Sequence, residues 1–157
     1  PQTDNQEKAF QAYDKGYNLV LAGAAGTGKT FIALHMAFEE LLESQLYDKV
    51  VIVRSVVPTR DIGFLPGDKD EKIDIYQAPY KSICSELFGE PNSFDKLVKA
   101  GQLEFLTTSF IRGLTLDNSI LIVDEMQNMT GHELDTVITR MGENSKIIFC
   151  GDYHQSD

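Results

Sequence analysis

Three features of this 157-residue chain predict an α/β fold with a mostly parallel sheet covered by helices. Short apolar runs alternate with helix-length segments along the whole sequence. The first apolar run opens directly into a glycine-rich turn followed by a helical stretch, as in sheets that bring strand ends to a ligand. Hydrophobic residues make up 42% of the chain, enough for one core, while the length is too short for two α/β domains.

Taken in order, residues 5–15 read as a short helix with Ala9, Phe10 and Tyr13 on one side. Leu19-Val20-Leu21-Ala22 is the first strand. A helix from 29 to about 45 begins with Phe31-Ile32-Ala33-Leu34, apolar nearly all round and therefore buried, and ends wet at Glu39, Glu40 and Glu43. His35 reads as a packed or partly exposed histidine, because no second metal ligand is spaced with it. Val50-Val51-Ile52-Val53 is the second strand, ended by Arg54 and Ser55. Residues 58–72 read as an unusually long loop with Pro58, Gly63, Pro66 and Gly67 as breakers. Helices over 74–88 and 94–100 precede the strand Leu103-Glu104-Phe105-Leu106. The wholly apolar Ile120-Leu121-Ile122-Val123, a helix over 131–141 and the strand Lys146-Ile147-Ile148-Phe149-Cys150 complete the series.

The run Gly23-Ala24-Ala25-Gly26-Thr27-Gly28-Lys29-Thr30 fits the phosphate-loop pattern G-x-x-x-x-G-K-[ST] at every fixed position. Successive backbone N–H groups of such a turn cradle an anion, and side chains at Gly26 or Gly28 would obstruct it. Lys29 would reach the β- and γ-phosphates, Thr30 would offer its hydroxyl to Mg²⁺, and the helix beginning there would turn its positive end to the phosphates. A chance match in a chain of this length has odds of about one in two hundred, and the preceding strand lowers them further. The expected ligand is a nucleoside triphosphate.

Phosphoryl transfer also needs a metal-holding carboxylate, and Asp124 follows the strand at 120–123 immediately. Glu125 comes next, suited to polarise a water against the γ-phosphate, which favours hydrolysis over transfer to a small molecule. The last strand runs into Gly151-Asp152-Tyr153-His154-Gln155, read as a polar turn at the ligand edge of the sheet, where Gln155 could hydrogen-bond the γ-phosphate or the attacking water and so report which nucleotide is bound. Gln6, seventeen residues before Gly23, carries an amide able to accept from adenine N6 and donate to N7.

Fourteen basic against 24 acidic residues leave a net charge of −10, so the surface as a whole is not built for a polyanion and any nucleic-acid contact is local. Cys84 and Cys150 lack metal-ligand spacing and fit a reducing, cytoplasmic setting. No run approaches the roughly 18 apolar residues of a membrane span, so no membrane partner is expected.

Asn5-Gln6, the phosphate loop, Gly63-Phe64-Leu65-Pro66-Gly67, Phe110-Ile111-Arg112-Gly113, Val123-Asp124-Glu125-Met126-Gln127-Asn128, Thr139-Arg140-Met141-Gly142 and Gly151-Asp152-x-x-Gln155 together resemble the PhoH family. The resemblance spans nearly the whole chain. It implies a three-layer RecA-like P-loop NTPase core, related to superfamily-one helicases and associated in bacteria and phages with phosphate starvation. It also implies ATP and Mg²⁺ as ligands and a link to RNA or single-stranded nucleic-acid remodelling. Carried over, Gln6 would contact adenine, Ala25, Gly26, Thr27, Gly28, Lys29 and Thr30 the phosphates, and Thr30 and Asp124 the metal. Lys29, Glu125 and Gln155 would serve catalysis. Gln127 and Asn128 match the family's sequence without an assigned role. The family continues through further core segments beyond residue 157, so 1–157 is expected to be one RecA-like domain, incomplete at its carboxyl end.

A single core leaves its γ-phosphate open on one side, and a neighbouring copy is the economical cover. This agrees with the homo-oligomeric ring, such as a hexamer, that the resemblance implies. Arg54, Arg60, Arg112 and Arg140 are candidates to supply charge across such an interface, with Arg112 first because it lies in a family-matching segment. The alternative function is a nucleotide-gated oligomeric regulatory or assembly module that does not translocate nucleic acid.

Overall fold

The computed structural model describes residues 18–23, 28–56, 69–111 and 113–152. Among them the apolar runs form five strands: β1 (Leu19–Gly23), β2 (Lys49–Arg54), β3 (Leu103–Thr107), β4 (Ser119–Asp124) and β5 (Lys146–Asp152). The same residues form the helices α1 (Lys29–Ser44), α2 (Lys69–Phe88), α3 (Ser93–Lys99) and α4 (Gly131–Arg140), and a short 3-10 turn at Met126–Asn128. The strands make one sheet in the order β1-β5-β4-β2-β3, and every neighbouring pair is parallel.

β4 lies at the centre of the sheet with every residue buried, which is why its sequence is a continuous apolar run instead of an alternating one. Side chains with a period of two divide between the two faces. Val50, Ile52, Ile120, Ile122 and Ile148 pack with Leu34 and Phe38 of α1, Tyr80 and Cys84 of α2 and Phe94 of α3. Val51, Val53, Leu121, Val123 and Ile147 pack on the opposite face with Ile111, Leu116 and Val137 of α4. The result is the three-layer arrangement that the sequence predicts.

Three local expectations change. α2 begins at Lys69, not at position 74, because Lys69-Asp70-Glu71-Lys72 contains no breaker and good helix formers need no apolar period to continue a helix. β5 continues through Gly151 and Asp152 where a polar turn was expected. Ala22 and Gly23 of β1 lie in register with these two residues, so ladder pairing overrides their polarity. The 3-10 turn after β4 was not foreseen at all. The helix expected over 5–15 and most of the long loop, including Gly63-Phe64-Leu65-Pro66-Gly67, lie outside the described residues. Among the described residues no helix is long and apolar enough to cross a membrane.

Candidate functional site

Because the strands are parallel, Gly23, Arg54, Thr107, Asp124 and Asp152 all end at one edge of the sheet. Gly28 precedes α1 there with φ 78° and ψ 21°, a left-handed conformation that glycine adopts without steric cost and that turns the chain into the helix. Lys29 and Thr30 form the first turn, where backbone N–H groups lack intrahelical partners. The Lys29 ammonium lies 2.5 Å from Asp152 Oδ1, its side chain only 11% exposed. Thr30 Oγ1 donates to Asp124 Oδ1 at 3.1 Å, and the Tyr80 hydroxyl donates to Asp124 Oδ2 at 2.6 Å. Both oxygens of this buried carboxylate are therefore engaged, one by α1 and the other by α2.

Glu125 follows in the left-handed region at φ 54°, a backbone conformation costing a non-glycine residue about 1–3 kcal/mol. The 3-10 turn behind it compensates with side-chain bonds. Gln127 Nε2 donates to Glu125 Oε2 at 2.8 Å and Asn128 Nδ2 to the same oxygen at 3.4 Å. Gln127 Oε1 in turn accepts the Asp152 backbone N–H at 3.1 Å, tying the turn to β5. Gly151 provides the room, since a Cβ there would lie 2.9 Å from Met126 Cγ and 3.1 Å from Gln127 Oε1.

Lys29, Thr30, Asp124, Glu125, Gln127 and Asp152 border a cleft of about 410 Å³. Among its described lining residues Lys29 is the one cation, facing the carboxylates Glu86, Asp124, Glu125 and Asp152. Burial, then the Asp124 charge and the hydrogen bond to it, push the Tyr80 phenol far above its ordinary pKa, so it stays a donor. Burial and the same Asp124 charge raise the Cys150 thiol well beyond the usual range. At the neighbouring strand ends, Ser55 Oγ donates to Glu133 Oε2 at 2.8 Å and Thr108 donates to the same oxygen. Glu133 also closes a capping box with Thr130 at the start of α4. Partial burial pushes the Glu133 pKa up, but the bonds from Thr108, the Thr130 backbone and Ser55 outweigh it and leave the carboxyl below its ordinary value.

Gly28, Lys29, Thr30, Asp124 and Glu125 thus meet in one cleft. Gln6, Ala25, Gly26, Thr27, Arg112 and Gln155, together with Arg60, lie outside the described residues. Arg54 is half-buried with its guanidinium 5.1 Å from the centre of the Tyr76 ring, and Arg140 is half-buried at the end of α4. Sequence reasoning missed Tyr80, the pairing of Asp152 with Lys29, and the bonds of Gln127 and Asn128 to Glu125. The T-x-x-E signature at Thr130 and Glu133 was readable as a helix start. No comparable signal marks Tyr80, whose bond partner is 44 positions away.

The family model for PhoH-like protein matches residues 1–157. The chain belongs to the PhoH family. Among PhoH relatives, Protein PhoH2 of Bacillus subtilis (strain 168) is 38% identical over 143 residues, covering 88% of this chain and 32% of the relative. A PhoH-like protein of Synechocystis sp. is 39% identical over 151 residues, covering 96% of this chain and 44% of the relative. The chain therefore spans from about a third to under half of the length of these PhoH proteins. The structure of the large terminase from a thermophilic bacteriophage in complex with ADP superposes with a TM-score of 0.59 at 13% identity, covering 96% of this chain and 39% of that one. That likeness is one of fold, an α/β arrangement around a parallel sheet.

Proposed function

We propose that this PhoH chain binds Mg·ATP and hydrolyses it, and that hydrolysis drives helicase-like remodelling of RNA or single-stranded nucleic acid. The convergence of Lys29, Thr30, Asp124 and Glu125 in one cleft carries the reading. The α1 N-terminus and Lys29 would take the phosphates, with Lys29 passing from Asp152 to the ligand. Among the described lining residues four carboxylates face one lysine, so an entering triphosphate is expected to come with a divalent cation that cancels part of the repulsion.

The residues fit Mg²⁺. Thr30 and Asp124, already 3.1 Å apart, would hold it. Among the described residues no group of three or more His, Cys, Asp or Glu could bind a metal alone, which agrees with an ion that takes most of its ligands from phosphates and water. An ion held there would supply positive charge against the negative charge that develops on the phosphates. Glu125, its Oε2 held by Gln127 and Asn128, would accept a proton from the attacking water. Gln6 would contact adenine, Gln155 would report the γ-phosphate, and Arg112 from a neighbouring copy in a ring would complete the site.

The nucleic-acid part of the proposal is supported by the family and by Phe110, 55% exposed just after β3, whose ring offers a face on which a base can stack. Phosphate release from Mg·ATP, with and without single-stranded RNA and over a range of salt, tests both halves. RNA stimulation is expected, with Lys29→Ala abolishing release and Glu125→Gln lowering it by about 10²- to 10⁴-fold. Nucleotide binding without release under either condition would refute the ATPase reading and favour a nucleotide-gated oligomeric module.

A further inference from the structure

Tyr80 takes no part in the motifs or in the proposed chemistry, yet its hydroxyl bonds to Asp124. It sits on α2, is completely buried, and does not line the cleft. Its ring packs 5.7 Å from that of Phe105, on the sheet face occupied by α1 and α2. From behind the sheet edge its hydroxyl reaches Asp124 Oδ2 at 2.6 Å, while Thr30 engages Oδ1 at 3.1 Å on the cleft side. A carboxylate at a strand end can turn about its side-chain torsions. Donors fixed on both oxygens, from two different helices, remove that freedom.

We infer that Tyr80 is a positioning residue for Mg²⁺, tying down Oδ2 of Asp124 so that the carboxylate presents Oδ1, beside Thr30, to the metal. The inference rests on the proposed Mg·ATP site and assigns that site a third helix-borne determinant. Carboxylates that bind metals are themselves held by hydrogen bonds, and removing such a partner typically costs about 10- to 100-fold in metal affinity or activity. Tyr80 is fully buried, does not line the cleft and reaches it only through its bond to Asp124, so its loss is expected to act through the metal and leave metal-free nucleotide binding alone.

Tyr80→Phe retains the ring and removes the donor. The experiment titrates Mg²⁺ against binding of a fluorescent ATP analogue at fixed concentration, alongside the analogue's affinity in EDTA and the melting temperature of each protein. The expected result is a rise of about tenfold or more in the half-saturating Mg²⁺ concentration, with unchanged affinity in EDTA. Tyr76→Phe, which removes a hydroxyl one turn earlier on the same helix, is expected to leave the Mg²⁺ midpoint at its wild-type value. A wild-type midpoint in folded Tyr80→Phe overturns the inference, as does an equal loss of affinity with and without Mg²⁺. Should Tyr80→Phe fail to fold, Tyr80→Met, whose flexible chain refills the space, is read by the same two criteria. Wild-type protein whose nucleotide binding ignores Mg²⁺ would instead overturn the Mg·ATP reading itself, so the two failures are distinct.

Discussion

Replacing Gly28 separates two demands that the structure makes on one position. An added Cβ would meet no atom of the described residues within 4 Å, so Gly28→Ala introduces no clash with them. Its stability cost comes from the backbone at φ 78°, about 1–2 kcal/mol for an L-residue in the left-handed region. Restricting the unfolded chain returns about 0.4–1 kcal/mol, leaving a net loss on the order of 1 kcal/mol. In a domain of this size that lowers the melting temperature by about 2–4 °C. The open space that the methyl enters is the cleft itself, which Gly28 lines.

Differential scanning fluorimetry with and without Mg·ATP reads both effects. Saturating wild type at a hundredfold excess over Kd adds about 2.7 kcal/mol, a rise of about 5–11 °C, and that rise is expected to vanish in Gly28→Ala. Gly28→Asn makes the sharper comparison, because asparagine tolerates the left-handed region better than alanine while placing a larger side chain in the cleft. It should melt above Gly28→Ala and respond to Mg·ATP no better. A full ligand-induced rise in Gly28→Ala would refute the claim that the cleft beside Gly28 receives phosphate. An asparagine variant less stable than the alanine one would refute the conformational argument.

Asp152→Asn releases Lys29 from its ion pair and removes one of four acidic groups from the cleft, so affinity for ATP in EDTA should rise; isothermal calorimetry showing a fall would mean that Asp152 orients the lysine instead of competing for it. Glu133 has a folded-state pKa below its ordinary value near 4.5, so its stabilising contribution is complete above that value and disappears as pH falls through the lower, folded pKa. The melting-temperature gap between wild type and Glu133→Gln is therefore expected to be full above the ordinary carboxylate value and to close as pH falls below it. A gap constant across that range would mean that the hydrogen bonds to Glu133 do not depend on its charge.

The sheet was legible because four of its strands are nearly continuous apolar runs, a pattern that burial on both faces imposes. Lys29, Thr30, Asp124 and Glu125 were legible because phosphate chemistry requires those residue types at those spacings. What escaped was set by tertiary contact. A tyrosine within a helical period reads as core, and Tyr80 is core, yet its hydroxyl finds a carboxylate 44 residues away. Gln127 and Asn128 carried no assignable role because their partner became visible only once the 3-10 turn folded them back onto Glu125. Asp152 read as part of a turn because polarity suggested one, whereas pairing with β1 extends the strand and brings its carboxylate to Lys29.

The placement of β5 between β1 and β4 sets a distance. Adjacent strands lie about 4.8 Å apart, so one intervening strand separates the end of β1 from Asp124 by about 10 Å across the sheet. Direct neighbours would leave no room between the phosphate-loop strand and the acidic strand for a phosphate, a cation and a water side by side. β5 is therefore a gauge block whose width is a single strand, and Gly151 near its end leaves room for the 3-10 turn that carries Met126 and Gln127. A slip of one residue along β1 would preserve the ladder and the gap but turn the Asp152 side chain to the other face, leaving the spacing correct and the lysine without its carboxylate.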